Sequence, residues 1–251
     1  MALDYSYSDI AKMIDHSLLN PSLTVPELEA GCDLARTYDV ASVCILPYYV
    51  ARCAQLLAGS NVQPSTTIGF PHGGQLTAVK LAEVVHALND GATELDTVIN
   101  ISQACSGNWD YVEAELLHLT KAAHHGGALI KVIFENAYLD DTAKIRLCEI
   151  CSDLGVDWVK TSTGYAPSGA TLADLALMRR HTPSSVQVKA AGGIRTLEAL
   201  LEARALGVTR VGATRTAEIL DECRFRLGLP PLALETSDKA HGPRARKKES
   251  R

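Results

Sequence analysis

The chain has 251 residues, 47% of them hydrophobic and 21% charged, with a formal net charge of -5. That acidic balance excludes a general nucleic-acid binder, which needs a broad excess of lysine and arginine, but leaves room for a small anion held by local cations. There is no run of 18 apolar residues to span a bilayer, residues 1–9 lack the basic and apolar pattern of a leader, and seven cysteines read as reduced thiols, so a cytoplasmic protein is expected.

Runs rich in β-branched residues alternate with longer stretches of helical period. The first strand is expected over residues 13–18, followed by a helix over 24–38 in which Thr24 and Glu27 have capping-box spacing. Strands over 41–46, 63–70 and 93–100 lead into helices over 47–57, 75–89 and 109–124. The pattern continues with strands over 128–134, 158–162, 185–190 and 210–212, followed by helices over 140–154, 171–180, 196–206 and 214–226. Gly59, Gly91, Gly155 and Gly207 fall just past the last apolar turn of a helix, where a left-handed cap favours glycine. Eight β–α rounds predict a single (β/α)8 TIM barrel over residues 1–234. An open doubly wound sheet is the alternative, because periodicity does not show closure. Residues 235–251 lose the large apolar side chains and end Arg-Ala-Arg-Lys-Lys-Glu-Ser-Arg, which reads as a solvated, disordered basic tail.

Barrel enzymes carry their sites at the C-terminal ends of the strands. Three ionisable residues stand there in apolar surroundings: Asp96 in Glu-Leu-Asp-Thr-Val-Ile-Asn, Lys160 in Trp-Val-Lys-Thr-Ser-Thr-Gly and Lys189 in Val-Gln-Val-Lys-Ala-Ala-Gly-Gly. Lys131 and Glu135 on the fifth strand are lesser candidates. A lysine inside an apolar strand loses hydration and tends toward the neutral amine, a nucleophile. Adjacent strands lie about 4.8 Å apart, so Lys160 and Lys189 would crowd two ammonium groups and push one pKa down. The competing reading is a pair of rim lysines, or a structural ion pair with Asp96.

Glycine and hydroxyl residues follow strands six to eight, as Thr163-Gly164, Gly192-Gly193 and Gly212-Ala213-Thr214. Glycine lets backbone N–H groups approach an oxyanion, and the helix N-termini beyond add a favourable dipole, so a phosphorylated substrate is implied. No metal site is expected. Cys148 and Cys151 lack a second ligand pair and read as packing, while His16 and His72 have no partner at ligand spacing. Phosphate-loop, nucleophile-elbow and zincin motifs are missing from the sequence.

Four segments, Val-Lys-Thr-Ser-Thr-Gly (159–164), Val-Lys-Ala-Ala-Gly-Gly-Ile-Arg (188–195), Gly-Phe-Pro-His-Gly (69–73) and Glu-Leu-Asp-Thr-Val-Ile-Asn (94–100), resemble the deoxyribose-phosphate aldolase family. The similarity runs from about residue 14 to 220. It implies a class I aldolase that cleaves 2-deoxy-D-ribose 5-phosphate to acetaldehyde and D-glyceraldehyde 3-phosphate, and condenses them in reverse, with no metal or organic cofactor. It further implies Lys160 as the Schiff-base lysine, Lys189 as the cation that perturbs it and Asp96 as the carboxylate of a proton relay. Gly164, Gly192, Gly193, Gly212 and Thr214 would then bind phosphate, Thr163 would lie beside the substrate, and Cys44 near the pocket mouth. Tyr165 stands where some members carry a phosphate-holding lysine, Arg215 where a small hydroxyl residue is common, and the last aromatic residue is Phe225.

Two other functions fit less well: a Schiff-base aldolase with another donor, and a barrel that only binds a sugar phosphate. The joint presence of Lys160, Lys189 and Asp96 argues against the second. The expected partner is a small sugar phosphate, with no nucleic acid and no membrane. Self-association into a homo-oligomer is left open.

Overall fold

The structure is a computed structural model and describes residues 3–232. Strands β1 (Ile14–Leu18), β2 (Ser42–Ile45), β3 (Gln63–Ile68), β4 (Glu94–Val98), β5 (Leu129–Ile133), β6 (Trp158–Lys160), β7 (Gln187–Ala191) and β8 (Arg210–Ala213) pair in chain order, all parallel. β8 returns to β1 through Ile14↔Val211, Asp15↔Gly212 and His16↔Ala213, so the sheet closes and the open-sheet alternative falls away.

The helices are α1 (Tyr7–Ala11), α2 (Val25–Thr37), α3 (Val50–Leu57), α4 (Thr77–Asn89), α5 (Ile101–Cys105), α6 (Trp109–His125), α7 (Asp141–Leu154), α8 (Leu172–Arg180), α9 (Leu197–Ala205) and α10 (Thr216–Arg226). Their starts follow local chemistry. Glu27 accepts a hydrogen bond from the Thr24 N–H at 2.7 Å, and the Thr171 hydroxyl accepts from the Asp174 N–H at 3.1 Å. Gly155 closes α7 at φ +67°, a left-handed cap that costs glycine nothing. Helices α1 and α5, five residues each, are absent from the sequence expectation. The side chains of Ser6 and Asn100 cap them.

Both faces of a parallel barrel are covered, but the two faces differ. Successive side chains alternate across the pleat, which sends Val159, Val188 and Val211 outward into the core under the helices. The same alternation aims Lys160, Lys189 and Arg210 at the barrel axis, where all three find carboxylates. Lys160 and Lys189 are direct partners in the β6–β7 ladder, so strand pairing alone sets them side by side. Among the described residues no helix is long and apolar enough to cross a membrane.

Candidate active site

The barrel centre holds a cluster of buried charges. Asp96 on β4 takes Lys160 and Lys189 on one oxygen, each at 2.7 Å, and Lys131 on the other at 2.9 Å. Lys189 also meets Asp15 at 2.6 Å, and Lys131 meets Glu94 at 2.6 Å. Arg210 closes the network below, 2.5 Å from Asp15 and 2.7 Å from Glu94. The cluster therefore sets four cations (Lys131, Lys160, Lys189, Arg210) against three carboxylates (Asp15, Glu94, Asp96).

A surplus cation in a buried site is relieved most cheaply by losing a proton. Lys131, Lys189 and Arg210 each touch two carboxylates or more, whereas Lys160 has Asp96 alone and shares it with two other ammonium groups. The pKa directions follow this count. Burial, aided by the Lys189 cation, lowers Lys160 below the ordinary lysine value despite the pull of Asp96. Burial also opposes charge on Lys189, but Asp15 and Asp96 outweigh it and raise that pKa. Asp96 resists burial through Lys131, Lys160 and Lys189, which hold it well below the carboxylate range. Of the four cations in the cluster, Lys160 is the one whose pKa is lowered, while those of Lys131, Lys189 and Arg210 are raised.

Lys160 also opens onto a cleft of about 480 Å³ at the C-terminal ends of β1, β6, β7 and β8. Thr163, Gly164, Gly192, Gly193, Gly212 and Thr214 line one side of it, with Arg195 beside them. Gly192 sits at φ +78°, and a Cβ there would come within 2.8 Å of the Gly169 Cα, so the loop crossing tolerates only glycine. Gly164 (φ +89°) and Gly193 (φ +92°) would have open space beyond a Cβ, which leaves their edges free for a ligand. Gly212 is not sterically forced: a Cβ would meet ordinary contacts from 3.5 Å.

The family model for DeoC/LacD family aldolase matches residues 10–213. The chain belongs to this aldolase family. It is 62% identical over 231 residues to a deoxyribose-phosphate aldolase of Rhodopirellula baltica, covering 92% of this chain and 96% of the relative. With a deoxyribose-phosphate aldolase of Caldanaerobacter subterraneus it shares 45% over 221 residues, 86% of this chain and 94% of the relative. A solved deoxyribose phosphate aldolase from Aeropyrum pernix, with a unique tetrameric structure, matches with a TM-score of 0.81 at 31% identity, covering 88% of this chain and 92% of that one. The chain is thus an aldolase, a carbon–carbon lyase.

Several residues of the aldolase cluster escaped the sequence reading. Asp15, Glu94 and Arg210 are ionisable residues in short strands, each beside one apolar residue (Ile14, Leu95 and Val211), as Asp96 is beside Leu95. Arg195 was hidden inside a segment read for its glycines. Lys131, ranked as a lesser candidate, bridges Glu94 and Asp96 at the centre. Glu135 stands behind Thr163, accepting hydrogen bonds from its backbone N–H at 3.2 Å and from its hydroxyl, so the Thr163 hydroxyl proton is committed to Glu135.

Other expectations need adjustment or stand aside from the cleft. Cys44 is not at the pocket mouth. It is buried on β2, level with Ser17, and burial raises its thiol pKa. Arg215 points to Glu218 at 3.1 Å on the exposed start of α10. His16 is buried against Thr216 at 2.8 Å with its pKa pushed down to about 4 by burial, and Cys148 and Cys151 are buried free thiols. Among the described residues no group of His, Cys, Asp or Glu side chains is arranged to hold a metal ion.

Proposed function

We propose that this aldolase cleaves 2-deoxy-D-ribose 5-phosphate to acetaldehyde and D-glyceraldehyde 3-phosphate, and runs the reverse condensation, through a Schiff base on Lys160. The observation that carries this reading is the partner count: Lys160 is the cation of the cluster with a single carboxylate, and it faces the cleft. The neutral amine attacks the C1 aldehyde, and the carbinolamine loses water to give an iminium. The C3 hydroxyl then gives up its proton to Asp96 through water and Lys189, and the C2–C3 electron pair flows into the iminium. D-Glyceraldehyde 3-phosphate departs, and the enamine left on Lys160 is protonated at C2 and hydrolysed to acetaldehyde.

Because the iminium is the electron sink, no metal is required at this step. The phosphate lies against the N–H edges of Gly164, Gly192, Gly193 and Gly212 with Thr214, and Arg195 supplies the nearby positive charge. Residues 1–234 are the catalytic barrel, and the basic segment 235–251, which lies outside the described residues, is not needed for it. We place the enzyme in the cytoplasm. The tetrameric relative from Aeropyrum pernix supports self-association into a homo-oligomer.

The test combines two measurements. Borohydride reduction in the presence of acetaldehyde should trap one adduct, mapped by peptide mass spectrometry to Lys160, and a coupled assay should detect D-glyceraldehyde 3-phosphate release. Lys160→Arg should abolish both. An adduct on Lys189 would reverse the roles, and an adduct on Lys160 without glyceraldehyde phosphate release would mean another donor or acceptor.

A further inference from the structure

The cleft has two unlike walls. Opposite the glycines, the segment after β1 contributes Leu18, Leu19, Pro21 and Leu23, an apolar face. Tyr165 stands between the two walls. It follows Gly164 in the loop after β6 and is 49% exposed, yet both its ends are tied down. Its backbone N–H donates to the Thr163 hydroxyl oxygen at 3.0 Å, and the buried Glu135 carboxylate holds Thr163 in turn. Glu135 itself has φ +57°, a left-handed conformation that a non-glycine residue keeps only where its surroundings enforce it.

At its far end, the Tyr165 hydroxyl donates to the Leu19 carbonyl at 2.7 Å, and its ring meets Phe70 edge-on at 5.5 Å. The side chain thus ties the loop after β6 to the segment after β1 and to the loop after β3. A half-exposed tyrosine that keeps one rotamer gives up side-chain freedom, and here an aromatic contact and a hydrogen bond offset that loss.

We propose that Tyr165 is a specificity-determining residue: latched across the cleft mouth to Leu19, it fixes the width through which the acceptor aldehyde enters and restricts that aldehyde to short chains. The inference rests on the aldol reading of the Lys160 site. The acceptor carbonyl must reach the enamine on Lys160, so the acceptor has to enter through the cleft that Gly164, Tyr165 and Leu19 line. A long chain has to displace the ring or break its bond to Leu19. A short one passes beneath. Because the latch contributes no cation, this selection acts on chain length whether or not the acceptor carries phosphate.

The experiment measures kcat/KM for condensation of acetaldehyde with propanal and with hexanal, two uncharged acceptors that take the phosphate corner out of the comparison. Tyr165→Phe keeps the ring and its Phe70 contact but loses the latch, and should raise the hexanal-to-propanal ratio by roughly five-fold, the equilibrium weight of one hydrogen bond. Tyr165→Ala also removes the ring and should raise the ratio further. An unchanged ratio in both variants overturns the proposal, and so does a rise confined to Tyr165→Ala, which would leave the latch without effect. Borohydride trapping of the acetaldehyde adduct in the parent enzyme separates the two readings: without an adduct on Lys160 the aldol mechanism fails first, and with one the ratio judges Tyr165 alone.

Discussion

Replacing Lys189 with leucine tests whether the cluster tunes Lys160 as its geometry requires. Both ammonium nitrogens lie 2.7 Å from the same Asp96 oxygen, so they are no further apart than about twice that distance. At an effective dielectric of about 20, two unit charges roughly 5 Å apart repel by about 3 kcal/mol, equivalent to a factor of about a hundred in the fraction of neutral amine. Loss of Lys189 also leaves Asp96 with fewer cations to share, which strengthens its hold on the Lys160 cation and acts in the same direction. Burial of Lys160 is unchanged and retains part of the original lowering.

The rate of borohydride-trapped adduct formation, followed by intact mass against pH, should therefore fall roughly a hundred-fold near neutrality. The profile should move to higher pH. Asp15 keeps Arg210 at 2.5 Å and Asp96 keeps Lys131 at 2.9 Å, so no carboxylate is stranded, and the melting temperature checks that the barrel survives. Lys189→Gln, which retains hydrogen-bonding capacity, should show the same displacement. A profile that does not move in either folded variant would refute the electrostatic argument.

Removing the surplus cation itself should stabilise the fold. Lys160→Met leaves three cations facing three carboxylates and should raise the melting temperature, by about 1–2 kcal/mol of stability, while abolishing turnover, and a lower melting temperature would contradict the count. The acid limb follows from Asp15 and Asp96, whose pKa values are lowered in the folded state by the surrounding lysines and, for Asp15, Arg210. Depressed carboxylates stabilise above the unfolded value of about 3.9 and lose that contribution as pH falls through the folded values, so stability should be level from neutrality to about pH 5 and then drop. Asp15→Asn should make that drop shallower, which thermal melts across pH would show. At the phosphate corner, Gly193→Val has open space but fills the cleft and should raise KM for deoxyribose 5-phosphate far more than for deoxyribose, and both it, at φ +92°, and Gly192→Ala, which strikes the Gly169 backbone, should lower the melting temperature.

The barrel was legible because its strands are short apolar runs and most of its helices carry caps, signals that depend on neighbours in the chain. Helices α1 and α5 were not, since five residues are too few to show a period, and they exist through the side chains of Ser6 and Asn100. A lysine in an apolar strand is conspicuous, so Lys160 and Lys189 stood out from the residues alone. Their division of labour did not. The ladder pairs Lys160 directly with Lys189, and nothing within β6 or β7 distinguishes them. The difference comes from Asp15 on β1, which the closed barrel brings to Lys189 and keeps from pairing with Lys160. Glu94 and Arg210 were passed over because a charge at the start of a strand usually faces water, and only the inward alternation of a closed sheet buries it.

On the proposed mechanism, the surplus of cations at the barrel centre is what makes one amine reactive. A fully balanced cluster would let every lysine keep its proton, and each would then be a stable ion pair with no nucleophilic lone pair. Four cations around three carboxylates cannot reach that state. The unmet charge does not spread evenly, because Lys131, Lys189 and Arg210 are each anchored to at least two carboxylates, so it settles on the residue with the fewest partners. That residue is also the one of the four that lines the cleft, where a departing proton and an arriving carbonyl both have a path. On the proposed mechanism, the placement of Asp15 on β1 therefore selects the nucleophile on β6 without touching it, by making Lys189 the better-satisfied neighbour.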